Sequence, residues 1–159
     1  MAAINSHTVT ASALIDAAPE RVYKIIADYR EGHPSIAPEE FSDIMIEAGG
    51  VGHGTIIRFR MRVMGIKQSF RAAVTEPEPG RVLVETDLDS NGAVTTFTVN
   101  PGPGPQKSEV VISTELPVGA GFLGRIQRYL ATRYLRPIYL KELGLLARRA
   151  GETGTFGSG

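Results

Sequence analysis

The sequence has 159 residues, a length that predicts a single domain. Its 17 basic and 17 acidic side chains give no net charge. We therefore expect no nucleic acid as a partner, because binding to a phosphate backbone depends on excess positive charge. The chain has no cysteine, which excludes disulfides and thiolate metal ligands and fits a reducing compartment. It also shows no signal-peptide pattern and no apolar run near the roughly 18 residues of a membrane span. We expect a cytoplasmic protein with no transmembrane segment.

The first forty residues predict one strand and two short helices. Alternating apolar residues up to Ile15 indicate a strand with one face on a core. A helix is expected to begin at Pro19, since proline fits the first helical turn, and to end near Asp28. Farther on, Pro34 and Pro38 leave room only for a short second helix or an ordered loop.

Six more strands are expected from Phe41 to Thr114, because apolar alternation is interrupted there by regularly spaced turn residues. The clearest alternation runs over 57–63, where four apolar residues alternate with three arginines. This pattern places Phe59 on the inner face of the sheet and Arg60 on the solvent face.

A long helix is expected after Pro117, since apolar residues then recur at helical spacing to about Ala150. Pro137 lies inside it and should kink it, because proline removes a helical hydrogen bond. We expect the domain to span residues 8–150, with an N-terminal extension over 1–7 and a flexible tail over 151–159.

Several motifs follow one another in an order typical of one superfamily. They are residues 13–23 (ALIDAAPERVY), 49–55 (GGVGHGT), 76–81 (EPEPGR) and 95–99 (TTFTV), with Glu142-Leu143 in the last helix. Together they resemble the polyketide cyclase/dehydrase and lipid-transport proteins of the SRPBCC superfamily, which includes START and Bet v 1-like proteins. The resemblance implies an α+β helix-grip fold, in which a curved seven-stranded antiparallel sheet, two short helices and a long C-terminal helix surround a cavity.

Few motifs in the sequence indicate phosphate binding, metal binding or acid–base catalysis. The glycine-rich segment 49–54 lies between two predicted strands rather than before a helix, so we interpret it as a turn and not a phosphate loop. The histidines His7, His33 and His53 lack the spacing of a metal site, and we expect no metal or other cofactor. His33 is the one candidate for a general acid or base, since its loop would border the pocket in this fold.

The expected inner faces of the sheet and helix are almost entirely apolar, with a few small residues that leave space for a ligand. The candidate ligand-binding residues are Ala11, Ala13, Ile57, Phe59, Met61, Gln68, Phe70, Ala72, Val84, Thr86, Phe97, Ile126, Tyr129, Leu130, Arg133 and Tyr134.

Three functions are compatible with these features. The preferred one is binding or transport of a small hydrophobic molecule, such as a lipid, polyketide or aromatic compound, by a monomer or weak homodimer. The second is a polyketide cyclase/aromatase or dehydratase, in which His33 or a polar residue of the candidate set moves protons. The third is an interaction module without a pocket. Binding is preferred to catalysis because alternation places no two ionisable side chains together on the inner faces.

Overall fold

The computed structural model describes residues 5–152, which form seven strands and three helices. The elements in chain order are β1 (Asn5–Ile15), α1 (Pro19–Ala27), α2 (Gly32–Ile36), β2 (Phe41–Ala48), β3 (Ile56–Val63), β4 (Ile66–Glu78), β5 (Val82–Asp87), β6 (Val94–Pro101), β7 (Ser108–Val118) and α3 (Gly121–Gly151).

The seven strands form one curved antiparallel sheet in the order β1-β7-β6-β5-β4-β3-β2. Strands β2 to β7 follow one another in the sheet in the order of the chain and form a meander. The first strand, β1, pairs with β7 at the edge of this meander. Register shifts interrupt the pairing of β2 with β3 and of β4 with β5, and such bulges bend and twist strands. The predicted α+β helix-grip fold is confirmed.

The two halves of α3 have different environments. The second half is buried through Ile138, Leu143, Leu146 and Ala150, whereas Phe122 near the start is 78% exposed. The helix is one element across Pro137, and the kink expected there stays a prediction. Within residues 5–152, every helix is too short or too polar to span a lipid bilayer.

The boundaries of the domain differ slightly from those expected. β1 begins at Asn5, which pairs with Val118 of β7, so residues 5–7 belong to the sheet and not to an extension. α3 ends at Gly151, one residue into the predicted tail. The rest of the extension, 1–4, and residues 153–159 of the tail lie outside the described residues.

The orientation of β5 was predicted wrongly. Val84 and Thr86 were expected on the inner face, but Leu83 is fully buried and Glu85 and Asp87 face the cavity. Three consecutive apolar residues open this strand, so apolar alternation there does not identify the inner face.

The glycine-rich segment 49–54 connects β2 to β3, and backbone amides of this segment donate hydrogen bonds to side chains of the same protein. The amide of His53 donates to Oε1 of Glu76 at 2.7 Å, and the same carboxylate accepts from the Tyr23 hydroxyl at 2.6 Å. Gly52 has a φ of +61°, and a Cβ there would lie 2.1 Å from Glu76 Oε1. The segment therefore holds a carboxylate of its own chain, which fits the interpretation as a turn.

Candidate functional site

A cavity of about 220 Å³ lies between the sheet and the helices α2 and α3. Most of its wall is apolar and comes from the sheet. The apolar residues of the wall are Ala37, Phe41, Ile44, Ile57, Phe59, Met61, Val63, Phe70, Ala72, Ala93, Phe97, Leu116 and Leu135.

Three phenylalanine rings form one side of this cavity. The rings of Phe41 and Phe59 have centroids 5.6 Å apart, and Phe59 stacks on Phe70 at the same distance with an interplanar angle of 21°. Neighbouring strands place these rings together, since Phe59 and Phe70 are register partners in β3 and β4. The rings offer a ligand flat surfaces against which aromatic groups pack favourably.

The other end of the cavity is polar and is organised around His33. Its Nδ1 lies 2.7 Å from the carbonyl oxygen of Ile26, which can only accept, so Nδ1 carries a proton. The ring stacks on Tyr29, with centroids 4.5 Å apart, and meets the edge of Phe97. The imidazole is therefore held in one orientation, with Nε2 directed away from Ile26.

Two carboxyl groups lie beside that Nε2. Oε1 of Glu85 is 3.7 Å away and Oε1 of Glu142 is 3.6 Å away. The Tyr29 hydroxyl donates to Glu85 at 2.5 Å, and burial together with this carboxylate raises the pKa of Tyr29. These four side chains come from the segment after α1, α2, β5 and α3, so the fold brings distant parts of the chain together.

Glu142 differs from Glu85 in its surroundings. It lies deep in the protein on α3, and burial followed by the charge of Glu85 raises its pKa well above the usual range. A carboxyl with a raised pKa keeps its proton to higher pH than an ordinary carboxyl, and while protonated it can donate a hydrogen bond, whereas a carboxylate only accepts. The polar end thus combines Glu142, a carboxyl with a raised pKa, with Nε2 of His33, the ring nitrogen that does not contact Ile26.

A buried chain of hydroxyl groups adjoins this cluster. The Tyr139 hydroxyl lies 2.5 Å from Oγ1 of Thr114, which lies 2.8 Å from Oγ1 of Thr95. All three residues line the cavity, and burial raises the pKa of Tyr139 to about 12. Tyr139 is therefore neutral, and these hydroxyls offer further hydrogen bonds to a ligand.

The cavity brings together part of the set expected from the sequence. The predicted residues that line it are His33, Ile57, Phe59, Met61, Phe70, Ala72 and Phe97. Ala11 is buried in the core and Ala13 is half-buried on β1, both outside the lining.

The remaining predicted residues are placed elsewhere. Gln68 is exposed, because the first residues of β4 extend beyond the core, and Val84 and Thr86 lie on the opposite face of β5. Leu135, Tyr139 and Glu142 are the lining residues of α3, so the prediction for this helix is corrected. The helix residues wrongly placed at the cavity are Ile126, Tyr129, Leu130, Arg133 and Tyr134.

The sequence analysis missed Tyr29, Glu85, Glu142 and Tyr139. One of them was detectable, since Glu142 is four residues from both Ile138 and Leu146 and so shares the apolar face of the helix. The expectation that no ionisable residues meet on the inner faces was wrong for this reason. Among residues 5–152, no group of three or more histidine, aspartate or glutamate side chains is arranged to hold a metal ion.

Several solved structures share this fold. The KanY protein, solved in solution, is 25% identical, with a TM-score of 0.79 over 92% of this chain and 99% of that chain. The ZhuI aromatase/cyclase from Streptomyces sp. R1128 is 15% identical, with a TM-score of 0.78 over 98% of this chain and all of that chain. Norcoclaurine synthase from Thalictrum flavum, solved with dopamine and hydroxybenzaldehyde, is 14% identical, with a TM-score of 0.73 over 96% of this chain and 90% of that chain.

Sequence comparison identifies the family directly. None of the curated proteins matched the chain. The sequence profile described as polyketide cyclase/dehydrase and lipid transport matches residues 6–151, which is nearly the whole chain. Together with the helix-grip fold, this match shows that the chain belongs to the polyketide cyclase/dehydrase and lipid transport family.

Proposed function

We propose that the protein binds a small hydrophobic molecule in the cavity and holds a hydroxyl or carbonyl group of that molecule against Glu142. The observation that carries this proposal is an apolar cavity of about 220 Å³ with the buried carboxyl group of Glu142 at one end, where burial raises its pKa. An engineered apolar cavity of about 150 Å³ binds benzene, so a ligand with one or two rings is a reasonable size here.

The expected affinity is modest. A ligand that buries about 300 Å² of apolar surface gains roughly 7 kcal/mol, from which association subtracts at least several kcal/mol. Micromolar or weaker binding follows from the apolar wall alone. A hydrogen bond to Glu142 adds selectivity, because a ligand without a polar group leaves this buried carboxyl unpaired.

Binding is tested with a polarity-sensitive apolar dye and two neighbouring substitutions on β4. Ala72 is buried and lines the cavity, whereas Ala73 lies on the other face of the sheet. Ala72→Leu should weaken dye binding at least fivefold by filling the cavity, and Ala73→Leu should change it less than twofold. Equal effects of the two variants, or no dye uptake by the parent protein, would contradict the proposal. Mass spectrometry of co-purifying small molecules would then identify candidate ligands.

A second candidate function is acid–base catalysis on a carbonyl compound, as in a cyclase or dehydratase. The observation that favours it is the position of His33 Nε2 within 4 Å of two carboxyl groups. In this proposal Nε2 removes a proton from the carbon next to a ligand carbonyl, while Glu142 donates its proton to the carbonyl oxygen. The product is an enol, and Glu85 stabilises the imidazolium that forms. The enol can then attack a second carbonyl, whose oxygen takes the imidazolium proton, or expel a neighbouring hydroxyl group, which leaves as water with that proton. In either case the enol proton returns to Glu142.

Catalysis is distinguished from simple binding by proton exchange. A small aromatic ketone is incubated with the protein in D₂O, and loss of its α-proton signal is followed by NMR. His33→Gln and Glu142→Gln should each slow exchange about 100-fold or more while dye affinity stays within a few-fold. His53→Gln, in the exposed turn after β2, is the control. Absence of exchange with the parent protein would exclude this candidate and leave the binding function intact.

A further inference from the structure

The first half of α3 presents an unusual outward face. Residues 122, 125, 126, 129, 133 and 136 share one side of the helix by their spacing, and none of them lines the cavity. We call them the outer stripe: Phe122, Arg125, Ile126, Tyr129, Arg133 and Arg136. Phe122 is 78% exposed and Tyr129 is 67% exposed. Large apolar side chains normally avoid such positions, so the stripe indicates a surface that is covered in use.

The charges on this half of the helix have one sign. Residues 121–140 contain four arginines, the three in the outer stripe and Arg128, and no acidic residue. Within residues 5–152, the salt bridges of the helix involve Lys141, Glu142 and Arg149, and none involves these four arginines. A partner for the outer stripe therefore has to combine negative charge with an apolar layer.

The apolar surface continues onto the hairpin between β3 and β4. Met64 and Ile66 at its tip are 54% and 62% exposed. A depression between the hairpin and α3 is lined by Met64 and Arg133 among others, and Val63 lines both this depression and the main cavity. The hairpin tip and the outer stripe thus flank one gap, and the wall of that gap is shared with the cavity.

The start of α3 is fixed in place. The amide of Gly119 donates to Oε1 of Gln127 at 2.6 Å. Gly124 packs so closely on the preceding turn that a Cβ there would lie 1.9 Å from the carbonyl oxygen of Gly119. These contacts hold the connection from β7 against the first turns of the helix, and such ordering before binding lowers the entropic cost of docking.

We propose that the outer stripe and the tip of the β3–β4 hairpin dock onto the surface of an anionic lipid bilayer. At the membrane interface, exposed aromatic and aliphatic side chains enter the acyl boundary, and basic side chains beside them contact anionic headgroups. A second copy of the chain fits less well, because two-fold pairing of the stripe would bring arginines against arginines. Docking goes beyond ligand binding, and it would place the gap beside Val63 at the lipid surface.

The test is co-sedimentation of the full chain with vesicles. Vesicles of phosphatidylcholine with 30% phosphatidylserine should bind the protein, and vesicles of phosphatidylcholine alone should bind it at least tenfold less. Arg133→Glu should weaken binding about fivefold or more, as expected when one basic residue near the surface is lost. Phe122→Ser should also weaken it, and raising the salt concentration to 0.5 M should release the protein.

The matched control is Arg148→Glu, which makes the same charge change at an exposed position near the end of the same helix. Its binding should stay within twofold of the parent protein, and circular dichroism verifies folding of each variant. Equal binding to neutral and anionic vesicles, an equal effect of Arg133→Glu and Arg148→Glu, or a dimer in solution that Phe122→Ser dissociates would each overturn the proposal. Dye binding in solution is measured in parallel, so failure of docking is distinguished from failure of the cavity to bind ligands.

Discussion

The carboxyl group of Glu142 on α3 lies 3.6 Å from the Nε2 atom of His33 on α2, where the two helices meet over the sheet. The hydrogen bond from His33 Nδ1 to the carbonyl of Ile26 fixes the tautomer and the orientation of the imidazole. Since burial raises the pKa of Glu142, this carboxyl keeps its proton to higher pH than an ordinary carboxyl, and it lies beside the ring nitrogen of His33 that does not contact Ile26.

The raised pKa of Glu142 predicts that stability falls as pH increases. The folded protein keeps the proton of Glu142 above pH 4.5, where the unfolded chain has begun to lose it, so the folded state is favoured at low pH. The contribution is fully present below the unfolded value and is lost as pH rises toward the raised folded value. The slope is up to about 1.4 kcal/mol per pH unit.

Glu142→Gln removes this titration, so the stability of the variant relative to the parent protein should increase as the pH is raised from 5 to 7. Urea unfolding at both pH values measures the difference. Glu115→Gln, at an exposed position of β7, is the control and should leave the pH dependence of the parent unchanged. A constant difference between Glu142→Gln and the parent across this range would show that Glu142 titrates normally.

Strict alternation made part of the site predictable. In β3, Ile57, Phe59 and Met61 alternate with arginines, and all three line the cavity as expected. In β5, the consecutive apolar residues Val82-Leu83-Val84 do not show which residues face inward. The acidic residues that follow were therefore not recognised as cavity residues.

The position of α3 depends on tertiary packing that a helical pattern does not encode. Apolar residues at helical spacing run along its whole length, yet its second half is buried and Phe122 and Tyr129 in the first half are exposed. Spacing alone therefore assigned the wrong part of the helix to the cavity. To predict the cluster around His33, one would need to know which strand and which turn of the helix face each other.

The alternation in β3 predicts different costs for two adjacent substitutions. Phe59→Ala removes a ring that packs on Phe41 and Phe70 and should lower the free energy of unfolding by about 2 to 3 kcal/mol. Arg60→Ala removes an exposed ion pair with Asp43 and should cost no more than about 0.5 kcal/mol. Urea titration of both variants measures the contrast, and equal costs would mean that the ring contributes little packing.

The turn between β2 and β3 predicts that two glycines differ in their tolerance of a methyl group. Gly52→Ala imposes a positive φ on alanine and drives its Cβ into Glu76, displacing the carboxylate that binds Tyr23. Gly54→Ala has a positive φ as well, but no atom lies within 4 Å of the added Cβ. We expect a loss of about 3 kcal/mol for the first variant and about 1 kcal/mol for the second. Thermal unfolding compares them, and a Gly54→Ala cost as large as that of Gly52→Ala would exclude the steric explanation.

The buried hydroxyl pair of Tyr139 and Thr114 predicts strong energetic coupling. Tyr139→Phe leaves the threonine hydroxyl without its partner in α3, and Thr114→Val leaves the tyrosine hydroxyl buried without the threonine. Each single change should cost about 1 to 2 kcal/mol. The double variant should cost little more than Thr114→Val alone, because the tyrosine hydroxyl that this change leaves unpaired is removed as well, and the lost bond of Thr114 to Thr95 is common to both. A double-mutant cycle from urea unfolding should give a coupling energy of about 1 kcal/mol or more, and additive costs would show that the two hydroxyls are satisfied independently.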